Sequence, residues 1–119
     1  MAVEKRVKTM DAFEVATLVQ EHARLDKRYL EFLRKSSLSS GIYRLPAGGV
    51  DPQSPHTEDE VYYVIEGRAQ IRVGDEDRSV GPGSIVFVAA HIDHRFHSIE
   101  EDLTVLVFFA PAEYSQAGE

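Results

Sequence analysis

Gln53-Ser54-Pro55-His56-Thr57-Glu58-Asp59-Glu60-Val61-Tyr62-Tyr63-Val64-Ile65-Glu66-Gly67 is the stretch on which the fold turns, because a histidine and clustered carboxylates run directly into an apolar segment. Two conformations compete for it. Ser54 as N-cap, Pro55 at the first helical position and acids in the first turn suit a helix carrying His56 and Glu60 on one face. Val61 to Ile65, however, is β-branched and aromatic and reaches Gly67 within seven positions of Glu60, too short and too β-prone for a stable helix. The stretch is therefore read as a strand preceded by a bend. In a straight strand His56 and Glu60 would stand about 13 Å apart, at a rise of roughly 3.3 Å per residue. Thr57-Glu58-Asp59 must turn or bulge if both side chains are to reach one point.

A second cluster, His91-Ile92-Asp93-His94-Arg95-Phe96-His97, gives this requirement a purpose. The two-residue period of a strand puts His94 with Phe96 on one face and Arg95 with His97 on the other. If the strand at 85–88 lays the next one beside the first, His94 converges with His56 and Glu60. Two imidazoles and one carboxylate with open positions suit iron(II), and also accept manganese, nickel, copper or zinc. Tyr62 and Val64 share the face of Glu60, which adds a phenol and an apolar wall fit for a small organic ligand. Glu60 and Tyr62 are the candidate catalytic groups. Glu58 has the same parity, but beside Asp59 it is read as a solvated loop acid. His91 falls off the His94 face.

Outward from these stretches, the chain reads as short strands punctuated by Gly, Pro and Asp. Tyr29–Arg34 and Ser39–Leu45 flank a Lys35-Ser36-Ser37 turn, and Pro46-Ala47-Gly48-Gly49 and Asp51-Pro52 interrupt before the opening stretch. Glu66-Gly67-Arg68 is expected as a tight turn into 69–73, Gly74-Asp75-Glu76-Asp77 as another, with further strands at 85–88, 94–99 and 103–109. Residues 2–8 could add an edge strand, and 111–119 read as a loose tail. One helix is expected near the start, with Asp11 as N-cap and Glu14 as its capping-box partner, packing through Ala12, Val15, Ala16 and Val19, widened by Phe13 and Leu18. His22, near its end, is expected to be exposed. Seven to nine strands and one helix make an all-β sandwich or barrel. Segments 61–65 and 103–109 are apolar on both faces, so the outer face should pack on a second sheet, the helix or another copy of the chain.

Composition narrows the functions. A chain of 119 residues with 43% hydrophobic content has room for a single domain with a real core. Twenty acidic against 13 basic residues give a net charge of -7, which repels nucleic acid and anionic membrane surfaces. With no cysteine, any metal must be held by imidazole, carboxylate or amide oxygen. Neither a secretory apolar segment nor a span of about 18 apolar residues is seen, so a cytoplasmic protein is expected.

Motif spacing resembles that of the cupins, small barrel proteins with two short motifs. Gly48 is followed after five residues by Ser54-Pro55-His56, after three more by Glu60 and after six more by Gly67. In the second motif Gly83 is followed after five residues by Ala89-Ala90-His91, after two by His94 and after three by Ser98. The resemblance implies an all-β, cupin-type double-stranded β-helix, or jelly-roll barrel, over 38–110, with residues 1–37 as an N-terminal extension. Three departures stand out: Ser54 for the first motif histidine, His91 for the second motif's glycine, and Ser98 for its asparagine. The resemblance thus implies a divalent metal ion on His56, Glu60 and His94, with water, Ser54 or Gln53 completing the sphere. Cupins similar to this one use their metal for dioxygenase-like or isomerase- and lyase-like chemistry, or serve as sensors of small molecules, and commonly pair as homodimers.

Overall fold

The computed structural model describes residues 9–115; the expected strand at 2–8 lies outside the described residues. Helix α1 spans Val15–Ala23, and the strands are β1 Tyr29–Arg34, β2 Ser39–Leu45, β3 Asp59–Val73, β4 Glu76–Val80, β5 Ile85–Val88 and β6 His94–Ala110. β1 and β2 fall where their β-prone sequences place them, and the turn between them is closed by Lys35 N donating to Leu38 O at 2.8 Å. All strand pairings are antiparallel, in the order β1-β2-β6-β3-β4 with β5 beside β3. The architecture is an all-β barrel with one helix.

Two expected turns are bends within longer strands. β3 runs through Glu66-Gly67-Arg68 with register shifts from Val64 to Gln70 instead of reversing there. Gly67 sits at φ 94°, and a Cβ on it would collide with the Asp102 carbonyl oxygen and come within 2.8 Å of Leu103 Cα. Glycine therefore serves close strand approach at a bulge, where its composition alone suggested a hairpin. In the same way 94–99 and 103–109 are two halves of β6, bent near Ser98 at φ 49°. The seven to nine short strands become six among the described residues, two of them long.

These two long strands close the barrel. Val73 pairs with His94 at one end of the β3–β6 ribbon, and Asp59 pairs with Ala110 at the other. Glu60 and Val73 would stand about 43 Å apart along a straight strand. Yet His94, opposite Val73, reaches to 3.1 Å from Glu60. The ribbon must fold back on itself at its bulges, and its concave side becomes the interior. Buried positions on β3 shift from Glu60, Tyr62 and Val64 to Gly67, Ala69 and Ile71, an even-to-odd change that the bulge produces. Phe96, Ile99, Leu103, Val105, Val107 and Phe109 of β6 meet them in the core.

The helix departs from expectation at both start and face. Its N-cap is Glu14, without a side-chain cap bond, while Asp11 pairs with Lys35 at 3.1 Å and Phe13 packs edge-on against Phe32. Leu18 and His22, one turn apart, are its buried residues, because the helix lies on β1 and β2 through that narrower stripe. His22 is only 1% exposed, and its Nε2 bonds the Lys27 carbonyl at 2.6 Å, fastening the loop after the helix. Burial lowers its pKa against the opposing pull of that carbonyl. Each fully buried aliphatic or aromatic side chain contributes about 1.5–3 kcal/mol, so the barrel outweighs this helix in stability. Tyr63, Ile85, Phe87 and Phe108 remain exposed on the outer barrel face. No helix among the described residues is long and apolar enough to cross a membrane.

Candidate metal centre

The expected bend occurs at Thr57-Glu58, after which β3 begins. It is tied to the loop between β5 and β6: His91 N donates to His56 O at 2.7 Å, and Ala90 N to Asp59 Oδ1 at 2.9 Å. β5 lies beside β3 with Val88 opposite Glu60, so the loop delivers His94 to the same place. His91 makes its contact at φ 67°, a left-handed conformation easiest for glycine. Its side chain is exposed. The residue type at this position in the motif therefore has a backbone reason.

His56, Glu60 and His94 offer ligand atoms that lie within 4.8 Å of one another. His94 Nε2 stands 3.1 Å and His56 Nδ1 3.6 Å from Glu60 Oε1. Ligands about 2.1 Å from a common ion are separated by roughly 3.0 Å in octahedral and 3.4 Å in tetrahedral geometry, so the spacing fits one cation. The same three atoms are buried and make no hydrogen bond. Buried polar atoms are ordinarily paired; a proton on His94 Nε2 would pair that atom with Glu60 Oε1 and leave His56 Nδ1 unmet, whereas one cation meets all three. His94 Nδ1 is 2.9 Å from the Ile92 carbonyl, which fixes the proton there and leaves Nε2 as a lone-pair donor. Burial pulls the His94 pKa down, but Glu60 and the Ile92 carbonyl outweigh it, so in metal-free protein the net shift is upward.

A cavity of about 230 Å³ opens beside the triad, walled by Tyr29, Tyr43, Tyr62, Phe109 and Tyr114. Tyr62 is fully buried, and burial, then the Glu60 charge, pushes its pKa well up. Its hydroxyl donates to Gln53 Oε1 at 2.9 Å, and Gln53 Nε2 donates to Asp51 Oδ2 at 2.6 Å. Asp51, buried, also accepts from Tyr43 Oη at 2.5 Å, Phe96 N at 2.9 Å and Gln53 N at 3.3 Å. This aspartate was legible only as a turn residue before Pro52; its partner Phe96 lies 45 positions away. Gln53 borders the cavity with both amide atoms engaged, whereas Ser54 is exposed and is not among the three converging residues.

Two further acids depart from their expected roles. Glu58 is buried, accepting from Tyr114 N at 2.7 Å and from the Thr57 hydroxyl. The supposed tail is docked at 111–115. Ala112 is buried, Glu113 N donates to Ser39 Oγ at 2.8 Å, and Arg34 Nη2 donates to Glu113 O at 2.8 Å. Glu113 Oε2 thereby stands 3.1 Å from His56 Nε2, and the Tyr114 ring lies 5.6 Å from the His56 ring. No local pattern marked this segment, because its partners are distant in sequence.

Barrel topology, rolled ribbon and paired motifs agree with a cupin-domain family model that matches residues 41–109. The chain belongs to the cupin family. This cupin is 51% identical over 104 residues to an uncharacterized protein of Streptomyces coelicolor, covering 87% of this chain and 99% of that one. Among solved structures it resembles TT1209 of Thermus thermophilus, with a TM-score of 0.68 and 24% identity over 87% of this chain and 99% of the other. The DMSP lyase DddQ of Ruegeria pomeroyi matches with a TM-score of 0.63 and 24% identity, over 74% of this cupin and 49% of that chain. A predicted oxalate decarboxylase of Thermotoga maritima gives 0.61 and 19%, over 70% and 78%. At these identities the solved structures speak for the fold alone.

Proposed function

We propose that this cupin holds one divalent cation through His56 Nδ1, Glu60 Oε1 and His94 Nε2, and acts as a mononuclear metal enzyme on a small organic molecule. Dioxygenase-like and isomerase- or lyase-like reactions both fit the donor set. The observation that carries the proposal is the meeting of three buried, unpartnered donor atoms, those of His56 and Glu60 on the wall of a cavity that also holds a phenol. When bound, the ion supplies a Lewis acid with positions left open for substrate oxygen or dioxygen. Iron, manganese, nickel, zinc and copper all accept two imidazoles and a carboxylate.

The chain's own residues do the rest. Three protein ligands suffice for a catalytic site, and with Ser54 exposed the missing motif histidine is a position for water or substrate. Gln53 enters the coordination sphere only by releasing Tyr62 or Asp51. Tyr62, held protonated, is a hydrogen-bond donor to bound substrate and not a base. Tyr29 Oη is buried without a partner on the same cavity wall and can donate to a ligand oxygen. Among the described residues no lysine or arginine lines the cavity, which favours a neutral substrate or one whose charge meets the metal.

A second reading, capture or sensing without turnover, has one observation in its favour. Both carboxylates lining the cavity, Glu60 and Glu113, already face His56, so neither is a free general base. Metal-reconstituted protein, wild type and Glu60→Gln, should be offered catechols, diketones, thiols, small carboxylic acids and sulfonium compounds, with oxygen uptake and product NMR as readouts. Metal-dependent conversion lost in Glu60→Gln is the expected result. Metal-dependent ligand binding with no conversion by either protein would select the sensing reading.

A further inference from the structure

We infer that Glu113, four residues beyond the stretch matched by the family model, is a positioning residue for the metal centre: its carboxylate orients His56 and keeps Nδ1 available to the ion. The inference rests on the metal-binding reading above.

The geometry is that of a carboxylate–histidine–metal relay. His56 presents Nδ1 to Glu60 Oε1 at 3.6 Å and Nε2 to Glu113 Oε2 at 3.1 Å. Turning the ring over would set carbon atoms against both carboxylates, so the two acids together specify its orientation. With the ring neutral, the Nε2 proton goes to Glu113 and the Nδ1 lone pair faces Glu60 and His94. Histidines that bind metals ordinarily donate their other N–H to such a partner, which fixes tautomer and ring angle and raises ligand basicity. The Ile92 carbonyl does this for His94; Glu113 does it, with a full charge, for His56.

Glu113 is placed for the role by bonds that do not involve its carboxylate. Its N–H is held by Ser39 Oγ and its carbonyl by Arg34, while the next residue's N–H is held by Glu58. Its side chain is 13% exposed against 8% for His56, so the contact is partly shielded from water and stronger than a surface pair. Glu113 is absent from the triad of converging ligand atoms, which makes it a support to a ligand.

Co2+ affinity and the visible Co2+ spectrum, measured on the full chain as wild type, Glu113→Gln, Glu113→Ala and Arg34→Ala, test the inference. Glu113→Ala should bind Co2+ about 10- to 100-fold more weakly, with an altered ligand-field spectrum. Glu113→Gln, which keeps an acceptor but loses the charge, should fall between. Arg34→Ala removes one of the bonds that place Glu113 but leaves those from Ser39 and Glu58, and should weaken Co2+ binding by less than Glu113→Ala does. Wild-type-like affinity in Glu113→Ala overturns the inference and leaves the metal site standing. A loss in Arg34→Ala larger than that in Glu113→Ala also overturns it, by assigning the effect to docking of the segment and not to the carboxylate. Wild-type protein that takes up no Co2+ overturns the metal site and the inference together.

Discussion

Replacing Asp51 should destabilise the barrel by an amount its hydrogen bonds allow to be estimated. The carboxylate accepts three short bonds, from Tyr43 Oη at 2.5 Å, Gln53 Nε2 at 2.6 Å and Phe96 N at 2.9 Å, and a longer one from Gln53 N. Asp51→Asn turns one accepting oxygen into a donor. The least costly arrangement keeps the amide oxygen on Phe96 N and Gln53 Nε2 and lets the Tyr43 hydroxyl rotate to accept. Hydrogen bonds to a charged group are worth about 1.5–3 kcal/mol, neutral ones about 0.5–1.5, so three weakened bonds cost roughly 3 kcal/mol. Relief of the buried charge returns part of this, leaving about 2 kcal/mol. Asp51→Ala strands all three donors and should cost about 4 kcal/mol, as large single-residue losses do. At this chain length 1 kcal/mol moves Tm by roughly 4 °C. Urea titration of EDTA-treated protein should show a lowered midpoint with an unchanged slope. A loss below about 0.5 kcal/mol for Asp51→Ala would refute the reasoning, since buried partners would then be satisfied without it.

Gly67→Ala should destabilise by about 3 kcal/mol or more, through its positive φ and its contact with the β6 backbone; a calorimetric Tm within a degree of wild type would contradict this. His22, with its folded pKa lowered, resists protonation that the unfolded chain accepts near pH 6.5. Its contribution to stability is present above that pH and lost as pH falls toward the folded pKa, so His22→Gln should show a shallower loss than wild type between pH 7 and 5. His94 is shifted upward and acts with the opposite sign in metal-free protein, so the difference between variant and wild type is the readout; parallel curves would contradict the assignment. On the outer face, Ile85 pairs with Tyr63 and Phe87 with Val61, making an exposed apolar patch on adjoining strands. The pairing of two copies expected from the sequence predicts, if it uses this patch, a dimer by light scattering that Phe87→Glu converts to a monomer; a monomeric wild type would contradict that expectation.

The sequence exposed local features well and long-range ones poorly. β1 and β2 were legible because β-prone runs meet a turn at Lys35-Ser36-Ser37. His56, Glu60 and His94 were legible because strand parity and motif spacing constrain them independently of the rest. Gly67 misled because a hairpin and a bulge ask the same thing of a residue, a positive φ, and only β6 packed against it decides between them. His22 misled because counting apolar residues favours Ala12, Val15 and Ala16, whereas the sheet accepts the narrower pair Leu18 and His22. Asp51 and Glu113 were invisible as site residues: one sat beside a proline, the other in an aperiodic tail. Asp51 joins the neighbouring Tyr43 and Gln53 to Phe96, 45 positions away, and the partners of Glu113 at His56, Ser39 and Arg34 lie 57 to 79 positions away.

Metal content bears most directly on the triad. This cupin and its His94→Ala variant should each be analysed as purified, and again after anaerobic reconstitution with iron(II), manganese, nickel or zinc and exhaustive dialysis. The expected result is close to one divalent ion per chain in the wild type and none retained by His94→Ala, with both proteins folded. A wild type that keeps no metal after reconstitution would contradict the reading of His56, Glu60 and His94 as a metal centre.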